Sequence, residues 1–193
     1  SGSFKNITLN FIKGNKLNLK ELVGSGKKAF VFEFWATWCP PCRNTIPHLT
    51  QLQHKFKNKD IIFIGITNEN ESVAKPFVDQ QGDKMDYHVA TDIAQSANTA
   101  FMQKYGAKGI PTAFIVDWTG NMKWHGHPQS PEFESELNAL SNSKPAEKNT
   151  LNKDELTSKS VKELKSILAS HHISDKGCVE KNDLVERILE HCS

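Results

Sequence analysis

The run Ala29-Phe30-Val31-Phe32-Glu33-Phe34-Trp35 constrains the fold more than any other segment of this chain. It is rich in Phe and Val and too short for a typical helix, so it reads as a strand buried on both faces. The period then changes. From Pro41 to about Lys57, the residues Ile46, Leu49, Leu52 and Phe56 recur at spacings of three and four, so a helix follows the strand directly. Residues 61–66 repeat the buried-strand pattern, and 72–81 read as a helix with Ser72 as its cap. Val89-Ala90 suits a short strand, and 93–105 another helix. Residues 113–116 and 121–124 flank Asp117-Trp118-Thr119-Gly120, a strand, a Gly-containing turn and a returning strand; 133–140 close the region as a helix.

Upstream, Phe4, Ile7, Leu9, Phe11, Leu17 and Leu19 alternate with polar residues, and Gly14-Asn15 supplies a turn, which predicts an N-terminal β-hairpin. Strands alternating with helices predict an α/β fold: a mixed central sheet, parallel at its centre, flanked by helices on both faces. The pattern stops at residue 141. Residues 142–153 are polar and aperiodic and read as a linker between a domain at 4–141 and a module at 154–193. In that module Ser160 with Glu163 forms a capping-box pattern ahead of Val161, Leu164, Ile167 and Leu168. A second helical stretch carries Leu184, Val185, Ile188 and Leu189, giving a helix–turn–helix-sized unit.

The net charge of +2 over 193 residues is too small to imply a polyanionic partner. No apolar run approaches a membrane span. Ser1-Gly2-Ser3 reads as a cloning scar, so the lack of a visible leader decides nothing about compartment. Sequons at Asn6-Ile7-Thr8 and Asn70-Glu71-Ser72 lean towards the secretory pathway or endoplasmic-reticulum lumen, with the cytoplasm as the alternative.

Four cysteines are too few for a disulfide-stapled scaffold and fit a chain that uses one pair chemically. Cys39 and Cys42 sit two residues apart where the buried strand meets the helix. A helix N-terminus presents unpaired N–H groups and partial positive charge, which stabilise a thiolate. Cys39, at that terminus, is the expected nucleophile. Cys42, one turn inside, would resolve the mixed disulfide. Pro40 and Pro41 stiffen the loop, and proline is tolerated in a first helical turn. A zinc site would need two further ligands at matching spacing. Cys178 and Cys192 belong to the other module, and nothing pairs His48 or His54 with the CxxC, so no metal is expected. Glu33 interrupts the most apolar strand six residues before Cys39. A buried carboxylate without a partner tends to stay protonated, and beside the redox pair it could exchange a proton with Cys42.

Trp38-Cys39-Pro40-Pro41-Cys42 together with Gly109-Ile110-Pro111-Thr112 resembles the paired signatures of thioredoxin-fold proteins. Glu33, Pro47 and Trp124-His125-Gly126-His127-Pro128 resemble the TlpA/ResA-like branch of thiol–disulfide oxidoreductases. The resemblance implies a cis bond before Pro111, with that proline facing the sulfurs. It also implies a docking surface for protein thiols and disulfides formed by Trp38, Pro40 and Ile110. No cofactor is implied beyond the Cys39–Cys42 disulfide itself. Trp35 reads as core packing. A peroxiredoxin is the nearest rival on this fold, but its peroxidatic cysteine usually follows a Thr or Ser by three residues, and here that place holds Ala36. A non-enzymatic adaptor that uses the fold as scaffold is the other alternative.

Residues 154–190 resemble SAP-like helical modules, in particular the C-terminal domain of mesencephalic astrocyte-derived neurotrophic factor. That domain has Cys-Lys-Gly-Cys where this chain has Asp175-Lys176-Gly177-Cys178, so the turn lacks a second redox pair. Residues 151–193 hold seven Lys or Arg against eight Asp or Glu, a poor footprint for phosphate. The module is therefore expected to bind a protein partner and not nucleic acid. Lys153-Asp154-Glu155-Leu156 is internal and cannot serve as a C-terminal retention signal. His171-His172 reads as a solvated helix end.

Overall fold

The computed structural model describes residues 2–193; Ser1 lies outside them. The chain divides into two compact units, residues 1–144 and 145–193. The first is a six-stranded mixed sheet in the order β1-β4-β3-β2-β5-β6. Its strands are β1 (Leu9–Lys13), β2 (Ala29–Phe34), β3 (Ile61–Thr67), β4 (His88–Asp92), β5 (Thr112–Val116) and β6 (Met122–Gly126). β2, β3 and β4 run parallel, while β5 pairs antiparallel with both β2 and β6. This is the thioredoxin-like α/β class that the strand–helix alternation predicted.

All six residues of β2 are buried, as a central strand covered on both faces requires. Alternation sends Phe30, Phe32 and Phe34 to one face, where they meet Phe4, Phe101 and Phe114. It sends Ala29, Val31 and Trp35 to the other, against Ile46, Leu49 and Phe56 of the helix α2 (Pro40–Phe56). α2 ends in a short 3-10 turn, and Asp60, at φ 60°, directs the chain into β3. Lys28 and Lys144 hold Asp60 at 2.6 and 2.7 Å, and their ammonium groups keep its carboxyl below the usual carboxylate range. In the β5–β6 turn, Asp117 Oδ1 accepts the N–H groups of Thr119 and Asn121, both at 3.0 Å. Gly120 there has φ 85°, and a Cβ on it would stand 3.2 Å from the Gly24 Cα.

Three sequence expectations need correction. The N-terminal β-hairpin does not form. Only Leu9–Lys13 is a strand, and it pairs antiparallel with β4. Beyond Gly14, at φ 80°, the chain becomes irregular and then enters the helical turn α1 (Leu19–Leu22). The open edge of β4 satisfies the β1 backbone in place of a local partner. The predicted 93–105 helix is two short pieces, α4 (Ser96–Asn98) and a π-helical turn over Thr99–Gln103. Asp92 ends the strand and starts the helix, its two carboxylate oxygens accepting the N–H groups of Ala97 and Asn98, each at 2.8 Å. α3 (Glu71–Gln81) has Asn70, not Ser72, at its N-cap position, with no side-chain cap bond. α5 (Pro131–Ser141) closes the unit, its Leu140 carbonyl accepting the buried Trp118 indole N–H at 3.1 Å.

The second unit has three helices where two were expected: α6 (Lys153–Thr157), α7 (Val161–Ser170) and α8 (Lys181–His191). The extra one is five residues long, below what periodicity can register, and starts in an Asn152–Glu155 capping box. The predicted Ser160–Glu163 box is present, with bonds of 3.1 and 3.2 Å. Leu156, Leu164, Leu168, Leu184, Val185 and Ile188 form the core. Arg187 Nη1 ties the α7–α8 turn by donating to the Ser174 and Lys176 carbonyls at 2.8 and 2.7 Å. Cys178 and Cys192 are both free, and burial pushes the Cys192 thiol up.

Candidate active site

The site forms where β2 gives way to α2. Cys39 occupies the N-cap position, and Pro40 and Pro41 follow in the first turn, where their missing N–H groups cost nothing. Cys39 and Cys42 are joined in a disulfide, with Cα atoms 5.2 Å apart. The Cys42 backbone N–H donates to Cys39 Sγ at 3.2 Å, so a terminal helix donor that would otherwise be orphaned points at the first sulfur. That environment favours a thiolate when the bond is reduced. Cys39 is less open than its position suggests: it is 3% exposed against 0% for Cys42. The adjoining Trp38 projects outward, 69% exposed, and shares one surface depression with Cys39 and Ile110.

The Ile110–Pro111 bond is cis, and the Ile110 carbonyl oxygen lies 3.7 Å from Cys39 Sγ. Pro111 is buried at the start of β5, and Thr112 secures this loop by donating to the Gly109 carbonyl at 2.6 Å. Trp38, Cys39, Pro40, Pro41, Lys108, Gly109 and Ile110 thus line one open depression of about 460 Å³. Trp38, Pro40 and Ile110 line it beside Cys39; Glu33 does not reach this surface.

Glu33 is 2% exposed and stands on the β2 face that carries α2, in register with Gly65 of β3 and Ala113 of β5. Neither of its carboxylate oxygens has a hydrogen-bond partner among the described residues. Burial pushes its carboxyl well above the usual range, and the neighbouring Thr45 hydroxyl opposes this only in part. Thr45 donates to the Cys42 carbonyl at 2.7 Å, linking the first turn of α2 to the ground above Glu33.

Sequence reasoning missed a brace on the active-site loop. Glu69 accepts the Thr37 backbone N–H at 2.8 Å, the Thr37 hydroxyl at 2.6 Å and the Thr67 hydroxyl at 2.9 Å. An acid in the loop after β3 carries no local signal of this, because Thr37, the partner in the active-site loop, lies 32 residues away in the chain. A second tie joins His48 of α2 to the Pro128 carbonyl at 3.0 Å, which is where the Trp-His-Gly-His-Pro segment meets the active-site helix.

A disulfide at a helix N-terminus beside a cis-prolyl loop, on a thioredoxin-like sheet, defines the class of protein. Residues 2–125 match the AhpC/TSA family, and the chain belongs to it. Residues 150–190 match the E3 ubiquitin-protein ligase rififylin-like domain. Among curated relatives, the thiol-disulfide oxidoreductase ResA of Bacillus thuringiensis (strain Al Hakam) is 33% identical over 118 residues, covering 61% of this chain and 63% of that protein. The chain therefore spans a little under two thirds of the length of the relatives it matches. Among solved structures, a thiol:disulfide interchange protein of the thioredoxin family from Chlorobium tepidum TLS shares 28% identity with a TM-score of 0.55, covering 72% of this chain and 92% of that one. The thioredoxin domain of a thiol-disulfide oxidoreductase from Bacteroides vulgatus, at 20% identity and a TM-score of 0.57, covers 72% and 96% and shares the fold.

Proposed function

We propose that this chain is a thiol–disulfide oxidoreductase acting on protein thiols and disulfides through Cys39 and Cys42. The observation that carries the reading is the disulfide whose outer sulfur caps α2 and touches the carbonyl before the cis-proline. In the reductive direction the Cys39 thiolate attacks a substrate disulfide, and one substrate sulfur leaves as a thiolate. Cys42 then loses its proton to ionised Glu33, and its sulfur attacks Cys39 Sγ. The bond from Cys39 to the substrate breaks, the second substrate sulfur leaves with the electron pair, and the Cys39–Cys42 disulfide remains. Two electrons pass from the dithiol to the substrate, so no further cofactor is required. Pro111, Trp38, Pro40 and Ile110 shape the surface on which the peptide docks.

Peroxidase chemistry is disfavoured. Ala36 offers no hydroxyl three residues before Cys39, and the Thr37 hydroxyl is committed to Glu69. Residues 154–193 we read as a SAP-like module that recruits a protein partner, supported by the match to the rififylin-like domain and by a charge balance unsuited to nucleic acid. No helix among the described residues is long and apolar enough to cross a membrane. The exposed asparagines of both sequons support a secretory location. The deciding experiment is reduction of an insulin disulfide by the dithiol-reduced protein. Activity that disappears in Cys39→Ser supports the assignment, whereas an inert wild type with a functional Cys39→Ser chain would make the protein an adaptor.

A further inference from the structure

The sheet face beneath α2 buries three side chains whose polar atoms have no hydrogen-bond partner among the described residues: Glu33 at both oxygens, Trp35 at Nε1 and Tyr87 at its hydroxyl. Unpartnered buried polar groups are rare and ask for an explanation. Their grouping follows from the sheet. Glu33 and Gly65 are register partners in the parallel β2–β3 ladder, so their side-chain directions share a face about 4.8 Å apart. A Cβ built on Gly65 would lie 3.2 Å from Trp35 Nε1 and 3.2 Å from the Tyr87 ring. The bare Gly65 therefore lets the Trp35 indole nitrogen and the Tyr87 ring close in against the backbone beside its register partner Glu33, where a side chain would crowd them. Burial raises the Tyr87 phenol well above its ordinary value, and the Glu33 charge raises it further.

We propose that Tyr87 is a positioning residue for proton transfer at the redox pair: its hydroxyl donates to the Glu33 carboxylate once Glu33 ionises, keeping a base available for Cys42. The inference rests on the oxidoreductase reading above. An ionised carboxylate in this core is costly unless a donor turns towards it. The Trp35 indole packs tilted on Phe77 at 5.6 Å, whereas the Tyr87 hydroxyl has no partner among the described residues and its O–H can turn to an acceptor that approaches it. From α2, Cys42 joins Trp35 and Tyr87 in the same buried cluster, and the Thr45 hydroxyl, which donates to the Cys42 carbonyl at 2.7 Å, also stands close enough to Glu33 to lower its carboxyl in part. Phe77 and Val78 of α3, Val89 of β4, and Ala113 and Ile115 of β5 bring no charge to this core. Asp86, next to Tyr87, is exposed and paired with His54 at 2.6 Å. The titratable groups on this buried face are thus Glu33, Tyr87 and Cys42. The transferred proton leaves the Cys42 thiol for the Glu33 carboxylate, the electron pair stays on Cys42 Sγ, and Tyr87 keeps its own proton throughout.

The test compares rate against pH for wild type and Tyr87→Phe in disulfide reduction. Exchange should rise with pH as Glu33 ionises, and losing one hydrogen bond to the carboxylate should move that limb upward by about one pH unit. The variant is then about tenfold slower below the limb and equal to wild type on the plateau above it. A second measurement needs no change at residue 87. The chain holds two tyrosines, so the ring-carbon signal of labelled Tyr87 can be assigned with Tyr105→Phe. In the reduced protein it should shift with the same midpoint as the rate limb. Superimposable rate profiles, or a Tyr87 signal flat across the limb, would overturn the inference and leave the oxidoreductase reading intact. That reading fails by a different result, full activity in Cys39→Ser.

Discussion

The backbone N–H of Cys42 points at the sulfur of Cys39 across 3.2 Å, so the residue that caps α2 is also the atom that would carry negative charge in the reduced protein. Helix end and nucleophile are one feature. A thiolate at Cys39 completes the cap, and reduction leaves the helix better satisfied than a neutral thiol would. The Cys39 thiol should therefore ionise at a lower pH than an ordinary cysteine. The pH dependence of alkylation of the reduced protein reads this directly. A midpoint at or above the ordinary value would remove the helix terminus from the mechanism.

With Cys42→Ser, the first attack proceeds and the second cannot. The variant should accumulate mixed disulfides through Cys39 on incubation with disulfide-containing proteins, visible as adducts that reductant releases. Failure to form any adduct with an accessible protein disulfide would count against Cys39 as the attacking sulfur.

Glu33 makes stability fall with pH. Its carboxyl is raised in the folded state by burial. Between the ordinary value, about 4.3, and the folded value, the native chain holds a proton that the unfolded chain has released. The stability from this group is complete below the ordinary value and is lost as pH rises through the folded one. Glu33→Gln does not titrate, so its stability relative to wild type should climb between acid and alkaline pH. Urea midpoints at several pH values check the trend, and a constant difference would show that Glu33 is not a buried neutral acid.

Glu69 braces the loop that presents Trp38, through three hydrogen bonds to Thr37 and Thr67. Glu69→Ala strands those donors and should cost about 1.5–3 kcal/mol. It should also slow exchange by letting the loop move, whereas the Cys39 ionisation, set by α2, should hold. Chemical denaturation and the alkylation profile separate the two effects. A loss of stability with unchanged exchange kinetics would reduce the brace to a purely structural role.

Leu168 is fully buried in the core of the second unit. Leu168→Ala should cost about 2–5 kcal/mol there. A unit of this size has little stability to spare, so amides in α7 and α8 should lose most of their exchange protection. Hydrogen exchange measured at those helices is the check.

The legible part of the fold was the part written in local periodicity. β2, α2 and β3 follow from the buried runs and the three-and-four spacing, and the Ser160–Glu163 box from two residues three apart. The failures occurred where a partner lies far along the chain. Leu17 and Leu19 alternate as a strand would, but β1 found a better ladder on β4, some eighty residues away. Residues 93–105 have helical composition, yet Ala94 and Gln95, both at φ 53°, break the segment before Asp92 restarts it.

The amino-acid order alone determined the class of sheet, the junction of β2 with α2, and the two cysteines at that junction, because each depends on residues within a turn or a strand of one another. Only the tertiary structure decided what surrounds the sulfurs. It placed the Ile110 carbonyl against Cys39, brought Glu69 to Thr37, and left Glu33, Trp35 and Tyr87 without hydrogen-bond partners near the bare backbone of Gly65. Those relations join strands distant in the chain, and a side chain's proton affinity follows from the burial and the neighbours that such joining creates.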